Sequence, residues 1–306
     1  MMRPAERPEA TSPARTNSRT DAPFGVFSTA NGSVPPQSLS YLTADRLYQT
    51  SHSMSNLDWQ LLRFVHDGRF ATGAQLIRAF WQTQDATSNP ARRGRRALKR
   101  LTGWQVLAAL PRRVSGMRGQ AGLVYYTGRA GVRLLAARGT TGPRVEVPGT
   151  LHLTHTLATT ELALLLTEAD RDGTLELIEV QQEPICWRNY PALFGPERKL
   201  KPDLFIRLGA GVRGEQEDRW FAEIDLGSES ARTIARKAAV YAEHYRAGSE
   251  QHAHGVYPRV VWLVPDDMRA EQVEGVLDRQ PAETRRLFSV CPFPQATGFL
   301  AAEARS

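Results

Sequence analysis

From Leu57 onward the apolar residues recur at helical spacing. LDWQLLRFVHDG sets Leu57, Leu61, Leu62 and Val65 on one stripe and stops at Gly68. ATGAQLIRAFW predicts a second helix capped by Thr72, with Leu76, Ile77 and Phe80 facing inward after a tight connection of the helix-turn-helix kind. NPARRGRRALKRLTGW predicts a third, with Asn89 as cap, Pro90 in the first turn and a narrow apolar seam of Ala97, Leu98 and Leu101. Two short strands follow, at about 105–110 and 123–127, around a loop holding Pro111, Gly116, Gly119 and Gly122, the signal of a hairpin. A further helix, GRAGVRLLAARG, precedes TTGPRVEVPGT, a linker.

Beyond the linker the period alternates. HTLATTELALLLTEAD is a helix striped by Leu157, Leu162, Leu165 and Leu166. LELIEVQQEP, LKPDLFIRL, RWFAEIDLG and PRVVWLVPD are four strands, and the helix ESARTIARKAAVYAEHYRAG separates the last two. MRAEQVEGVLDR is helical again, and a last strand lies near LFSVC. This order predicts an α/β (α+β) unit with a mixed central sheet. The three helices and hairpin before it have the order of a winged helix, whose third helix enters the major groove. Before residue 55 bulky apolar side chains are scarce, so 1–54 is expected to be a disordered tail, 55–140 a winged-helix domain and 150–295 the sheet domain.

Charge sharpens this division. The chain of 306 residues is 41% hydrophobic and carries a net charge of +7, with 21 Lys/Arg against 7 Asp/Glu in 1–144 and 18 against 25 in 145–306. Between Ala86 and Arg144 there are thirteen basic residues and no acidic one. Such a block attracts phosphate backbone through counterion release, although a solvated face or a lipid-surface patch would have the same composition. Arg92, Arg93, Arg95, Arg96, Lys99 and Arg100 on the third helix, and Arg112, Arg113 and Arg118 in the hairpin, are the candidate DNA contacts. No stretch approaches the roughly 20 apolar residues of a bilayer crossing, and the start lacks the apolar core of a signal peptide. Cys186 and Cys291 lie far apart, which excludes a zinc ribbon and suggests reduced thiols in a cytoplasm.

In WFAEIDL the strand period puts Phe221, Glu223 and Asp225 on one face and Trp220, Ala222 and Ile224 on the other. Two carboxylates on an apolar strand need a compensating cation, unless the strand is an exposed edge. Asp203, after Pro202, opens the strand before. If the strands pair, Asp203, Glu223 and Asp225 would form an oxygen cage for Mg2+ or Mn2+, with Glu161 supplying a fourth oxygen or orienting a bound water.

These residues resemble the PD-(D/E)XK nuclease superfamily. Pro202 and Asp203 match its PD, Glu223-Ile224-Asp225 falls where (D/E)XK lies, and Glu161 stands in the place of its helix glutamate. Asp225 occupies the usual lysine position. The resemblance therefore implies a lysine moved to the following helix, where Lys237 lies one turn before Tyr241. An ordinary exposed helix lysine is the other reading of Lys237. More narrowly, the basic module, the His155-x-Leu157 helix, PD, E-x-D and K-x-x-x-Y together resemble the replication-relaxation family, which is similar to the C-class mobilisation relaxases.

The resemblance implies metal-dependent nicking or relaxation of double-stranded plasmid or mobile-element DNA, with Glu161, Asp203, Glu223, Asp225 and Lys237 as the site. A DNA-binding regulator that keeps the fold as scaffold is the alternative, and a third is an accessory subunit docked on a replication or conjugation protein. A homodimer is compatible with each. Tyr241 and Tyr245 are nucleophiles in principle, and the role of His152 and His155 is open.

Overall fold

The computed structural model describes residues 42–82, 89–115, 121–140, 150–192, 195–210 and 216–305, without the side chains of 111–115, 121, 150 and 151. The first correction concerns the tail. Residues 1–41 lie outside the described residues, but α1 (Ala44–Ser53) is helical, and Leu42 and Leu47 pack on the core of the next helices. Thr43 caps it, its hydroxyl accepting the Arg46 N–H at 3.2 Å. Two leucines are too few to mark a helix by periodicity, and docking supplies the stability that composition does not.

Next come α2 (Asn56–Asp67), β1 (Ala71–Thr72), α3 (Gly73–Trp81), α4 (Pro90–Gly103), β2 (Leu107–Ser115), β3 (Ala121–Thr127) and α5 (Arg129–Ala137). Capping boxes start α2 at Ser55/Asp58 and α3 at Thr72/Gln75, and Asn89 caps α4. Leu61, Leu62, Val65, Leu76, Leu98 and Leu101 are buried, as their spacing predicts. β1 pairs with β3, giving a sheet ordered β1-β3-β2. The hairpin runs longer than expected because Pro111 falls in an irregularity between Ala109 and Arg113, where no ladder donor is needed. Arg118 lies outside the described residues, and so do the side chains of Arg112 and Arg113.

The second half holds α6 (Thr150–Arg171), β4 (Leu177–Gln182), β5 (Arg188–Tyr190), β6 (Arg198–Leu200), β7 (Leu204–Ala210), β8 (Gln216–Ile224), α7 (Ala231–Ala247) and α8 (Ser249–His254). It ends with β9 (Arg259–Val264), α9 (Asp267–Leu277), α10 (Ala282–Arg285), β10 (Phe288–Pro292) and α11 (Ala296–Glu303). The sheet is mixed, in the order β10-β9-β8-β7-β4: β8, β9 and β10 are parallel, while β7 is antiparallel to β8 and to β4. β8 is therefore central, which removes the edge-strand reading of Glu223.

Side-chain alternation divides the core in two. Leu204, Ile206, Trp220, Ala222, Ile224 and Leu263 face α6 and α11, whereas Phe205, Phe221, Trp262 and Phe288 face α7 and α9. α11 extends the unit past residue 295, with Ala296 and Leu300 buried and Phe299 edge-on to Trp220. Both cysteines are buried free thiols. Among the described residues no helix is long and apolar enough to cross a membrane.

Candidate active site

Pairing of β7 with β8 fixes Asp203 at the strand mouth. Its N–H donates to the Ala222 carbonyl at 3.1 Å, and its Oδ2 accepts the Ile224 N–H at 2.8 Å. The same Oδ2 meets His155 Nε2, which α6 supplies from one side of the sheet, at 3.1 Å. From the other side α7 brings Lys237 and Tyr241. Lys237 Nζ donates to Glu223 Oε2 at 2.7 Å and lies 2.6 Å from Glu229 Oε1. Tyr241 Oη donates to Glu223 Oε1 at 2.6 Å. His155, Asp203, Glu223, Lys237 and Tyr241 thus converge from both helical layers onto the ends of two adjacent strands.

Burial makes these charges interact strongly, since Asp203 is 8% and Glu223 2% exposed. Burial alone would depress the His155 pKa, but the Asp203 hydrogen bond and charge outweigh it and hold the imidazole at about 9. At neutral pH it is an imidazolium. Burial likewise opposes ionisation of Asp203, yet His155, Lys237 and the Ile224 amide keep that carboxyl below its ordinary value. Glu223 goes the other way: burial and the Asp203 charge push it up to about 7, offset only in part by Lys237 and Tyr241. Burial opposes the charge on Lys237, but the Glu223 and Asp203 carboxylates hold the ammonium above the ordinary lysine range. Burial and the Glu223 charge push the Tyr241 phenol well above its ordinary value. A buried phenol that keeps its proton is not an attacking nucleophile. Tyr245 Oη instead accepts from Arg286 Nη2 at 3.0 Å, away from this group.

Two expected members are elsewhere. Asp225 lies just past β8, where its Oδ1 accepts the Gly227 N–H at 2.8 Å and its Oδ2 takes Arg269 Nε at 2.8 Å and Nη2 at 2.5 Å. Arg269 Nη2 also donates to the Glu229 carbonyl at 2.6 Å, so the pair ties down the turn that carries Glu229. Glu161 faces α3: Gln75 Nε2 donates to its Oε2 at 2.9 Å, and Arg78 bridges it to Glu168. Six residues along α6 from His155, at about 100° each, put Glu161 about a third of a turn away from the site.

The expected three-carboxylate cage is therefore corrected. Among the described residues no three His, Cys, Asp or Glu side chains gather as a metal-holding group. A pair does fit one hard cation. The Asp203 charge opposes ionisation of Glu223, Oδ1 of Asp203 accepts no hydrogen bond among the described residues, and Mg2+ commonly takes one or two carboxylates with water completing its shell.

On α4, Gly94, Leu98 and Leu101 face inward while Arg92, Arg93, Arg95, Arg96, Lys99 and Arg100 are exposed. Arg100 pairs with Asp58 at 2.5 Å. Among the described residues no carboxylate pairs with Arg92, Arg95, Arg96 or Lys99, although Arg69, Arg78, Arg207, Arg259 and Arg269 all have acidic partners. The absence of a side chain at Gly94 permits this packing, because a Cβ there would lie 2.6 Å from Ile77 Cγ1 on α3.

Comparison with known families decides the assignment. A family model described as Replication-relaxation matches residues 62–260, more than half of the chain. The chain belongs to the replication-relaxation family. This makes it a replication-related protein of plasmids or mobile elements. No curated protein and no solved structure matches it. The replication-relaxation match spans α4 and every member of the His155–Tyr241 group, and it stops before Arg269. Sequence reasoning missed both Arg269 and Glu229. Each acts on a partner that only the folded turn brings close, and neither sits in a recognisable motif.

Proposed function

We propose that this replication-relaxation protein is a DNA-binding endonuclease that nicks a plasmid or mobile-element duplex. α2 to α5 and the hairpin act as a winged helix, and α4 docks in the major groove through Arg92, Arg95, Arg96 and Lys99. The observation that carries the catalytic reading is the meeting of Asp203, Glu223 and Lys237 at the ends of β7 and β8, with two carboxylates close enough for one to raise the other's pKa.

Asp203 and Glu223 would hold Mg2+ or Mn2+, which when bound polarises a phosphodiester and acidifies water. The chain's own groups prepare that seat. His155 and the Ile224 amide fix Asp203 and keep it ionised. Tyr241 orients Glu223 through Oε1, and Lys237 places a cation beside the same carboxylate, where it stabilises charge developing on a phosphate. Attack comes from water, because the phenol of Tyr241 is buried and bonded.

Nicking of supercoiled plasmid in Mg2+ or Mn2+ tests this reading: Asp203→Asn and Glu223→Gln abolish it, and Lys237→Met lowers it about a hundredfold. Equal nicking by wild type and Asp203→Asn would remove the catalytic assignment. One observation favours a regulator without catalysis, namely that His155 and Lys237 already neutralise the two carboxylates. That reading predicts duplex binding by a wild type that never nicks.

A further inference from the structure

A second surface lies on the amino-terminal module. α1, α2 and α5 enclose an open groove of about 500 Å3 lined by Leu47, Tyr48, His52, Trp59, Arg133 and Arg138. One aromatic ring, Tyr48, is presented to solvent, while Trp59 is half-buried against the core with the Arg138 guanidinium over its face. Tyr48 is 65% exposed, with its ring 4.0 Å from that of His52, and the Arg138 guanidinium lies 3.5 Å from the centroid of Trp59. Arg133 Nη1 donates to the Leu42 carbonyl at 2.8 Å, which anchors that side chain at the rim. Among the described residues no acidic side chain lines the groove, and no carboxylate pairs with Arg133 or Arg138.

We propose that this groove binds single-stranded DNA, with an unpaired base stacked on Tyr48 and its phosphates held by Arg133 and Arg138. The proposal rests on the DNA-handling reading above and adds a strand-specific site to it. The reasoning is one of chemical complementarity. An exposed stacking ring flanked by guanidinium groups suits a flat base joined to an anionic backbone, and a duplex keeps its base faces inside its own stack. The volume is that of a small-ligand pocket, room for a nucleotide but not a double helix. An uncharged apolar segment would have no use for the two arginines.

The test measures polarisation of a labelled twelve-nucleotide oligothymidylate and of a duplex of equal length, with the full chain at low salt and without metal. The joint change of Tyr48→Ala with Arg138→Gln weakens oligothymidylate binding about tenfold or more and leaves duplex binding unchanged. Tyr48→Phe keeps both, because the ring is what stacks. Arg95→Ala with Arg96→Ala shows the reverse pattern, so failure of the α4 reading is seen separately on the duplex. Should the double variant lose duplex binding too, Tyr48→Ala alone, at an exposed position, replaces it. Oligothymidylate affinity that is equal in wild type and variant, or missing in wild type, overturns the proposal. So does groove-dependent binding of a peptide of residues 1–41 without any of oligothymidylate, which would make the occupant this chain's own amino-terminal segment.

Discussion

Replacing His155 by glutamine removes the cation that holds Asp203 ionised, and its effect on stability has a defined pH window. The imidazole titrates at about 9 in the folded chain against 6.5 in an unfolded one, so between these values the folded state keeps a proton that the unfolded state releases. The resulting stabilisation is complete below pH 6.5 and is lost as pH rises through 9. The shift corresponds to about 3 kcal/mol, or about 2 once solvent screening of a side chain that is 27% exposed is allowed for. Glu223, raised from 4.5 to about 7, also costs stability as pH rises, but in a lower window that the variant retains. Urea unfolding followed by tryptophan fluorescence from pH 6 to 9.5 reads the difference. His155→Gln is expected to be about 2 kcal/mol less stable than wild type at pH 6, with the gap closing by pH 9.5. A gap that stays constant across this range would refute the ion pair.

Arg269→Ala strands the buried Asp225 carboxylate and should cost about 3 kcal/mol, read as a lower melting temperature. Binding of duplex DNA should weaken steeply as salt rises, and Arg95→Ala with Arg96→Ala should reduce both the affinity and the salt slope; affinity independent of salt would contradict the role given to α4. Gly94→Leu forces α4 away from Ile77 and Trp81 and should destabilise the chain by about 1–3 kcal/mol, with duplex binding weakened in parallel.

Much of this fold is written locally. Thr72, Asn89 and Pro90 mark helix starts that need only neighbouring amides, and the alternation of Trp220 to Ile224 separates the two cores without knowledge of what covers them. Asp203, Glu223, Lys237 and Tyr241 are legible for the same reason, since strand and helix periods aim them at one place. What escapes the sequence depends on distant partners. The strand period carries on paper to Asp225, yet the ladder ends at Ile224 and an arginine 44 residues away claims the carboxylate. Glu161 sits on the expected helix but at the wrong phase, turned to Arg78. α1 and α11 are short, and they are stabilised by docking against cores whose other residues lie far along the chain.

The claim that Asp203 and Glu223 form a seat for one divalent ion is tested most directly by anomalous diffraction from crystals soaked in Mn2+. A single peak in contact with both carboxylates, absent in Asp203→Asn and unaffected by Asp225→Asn, is the predicted result. A peak on Asp225, or none at all in wild-type crystals that nick DNA after dissolving, would contradict it.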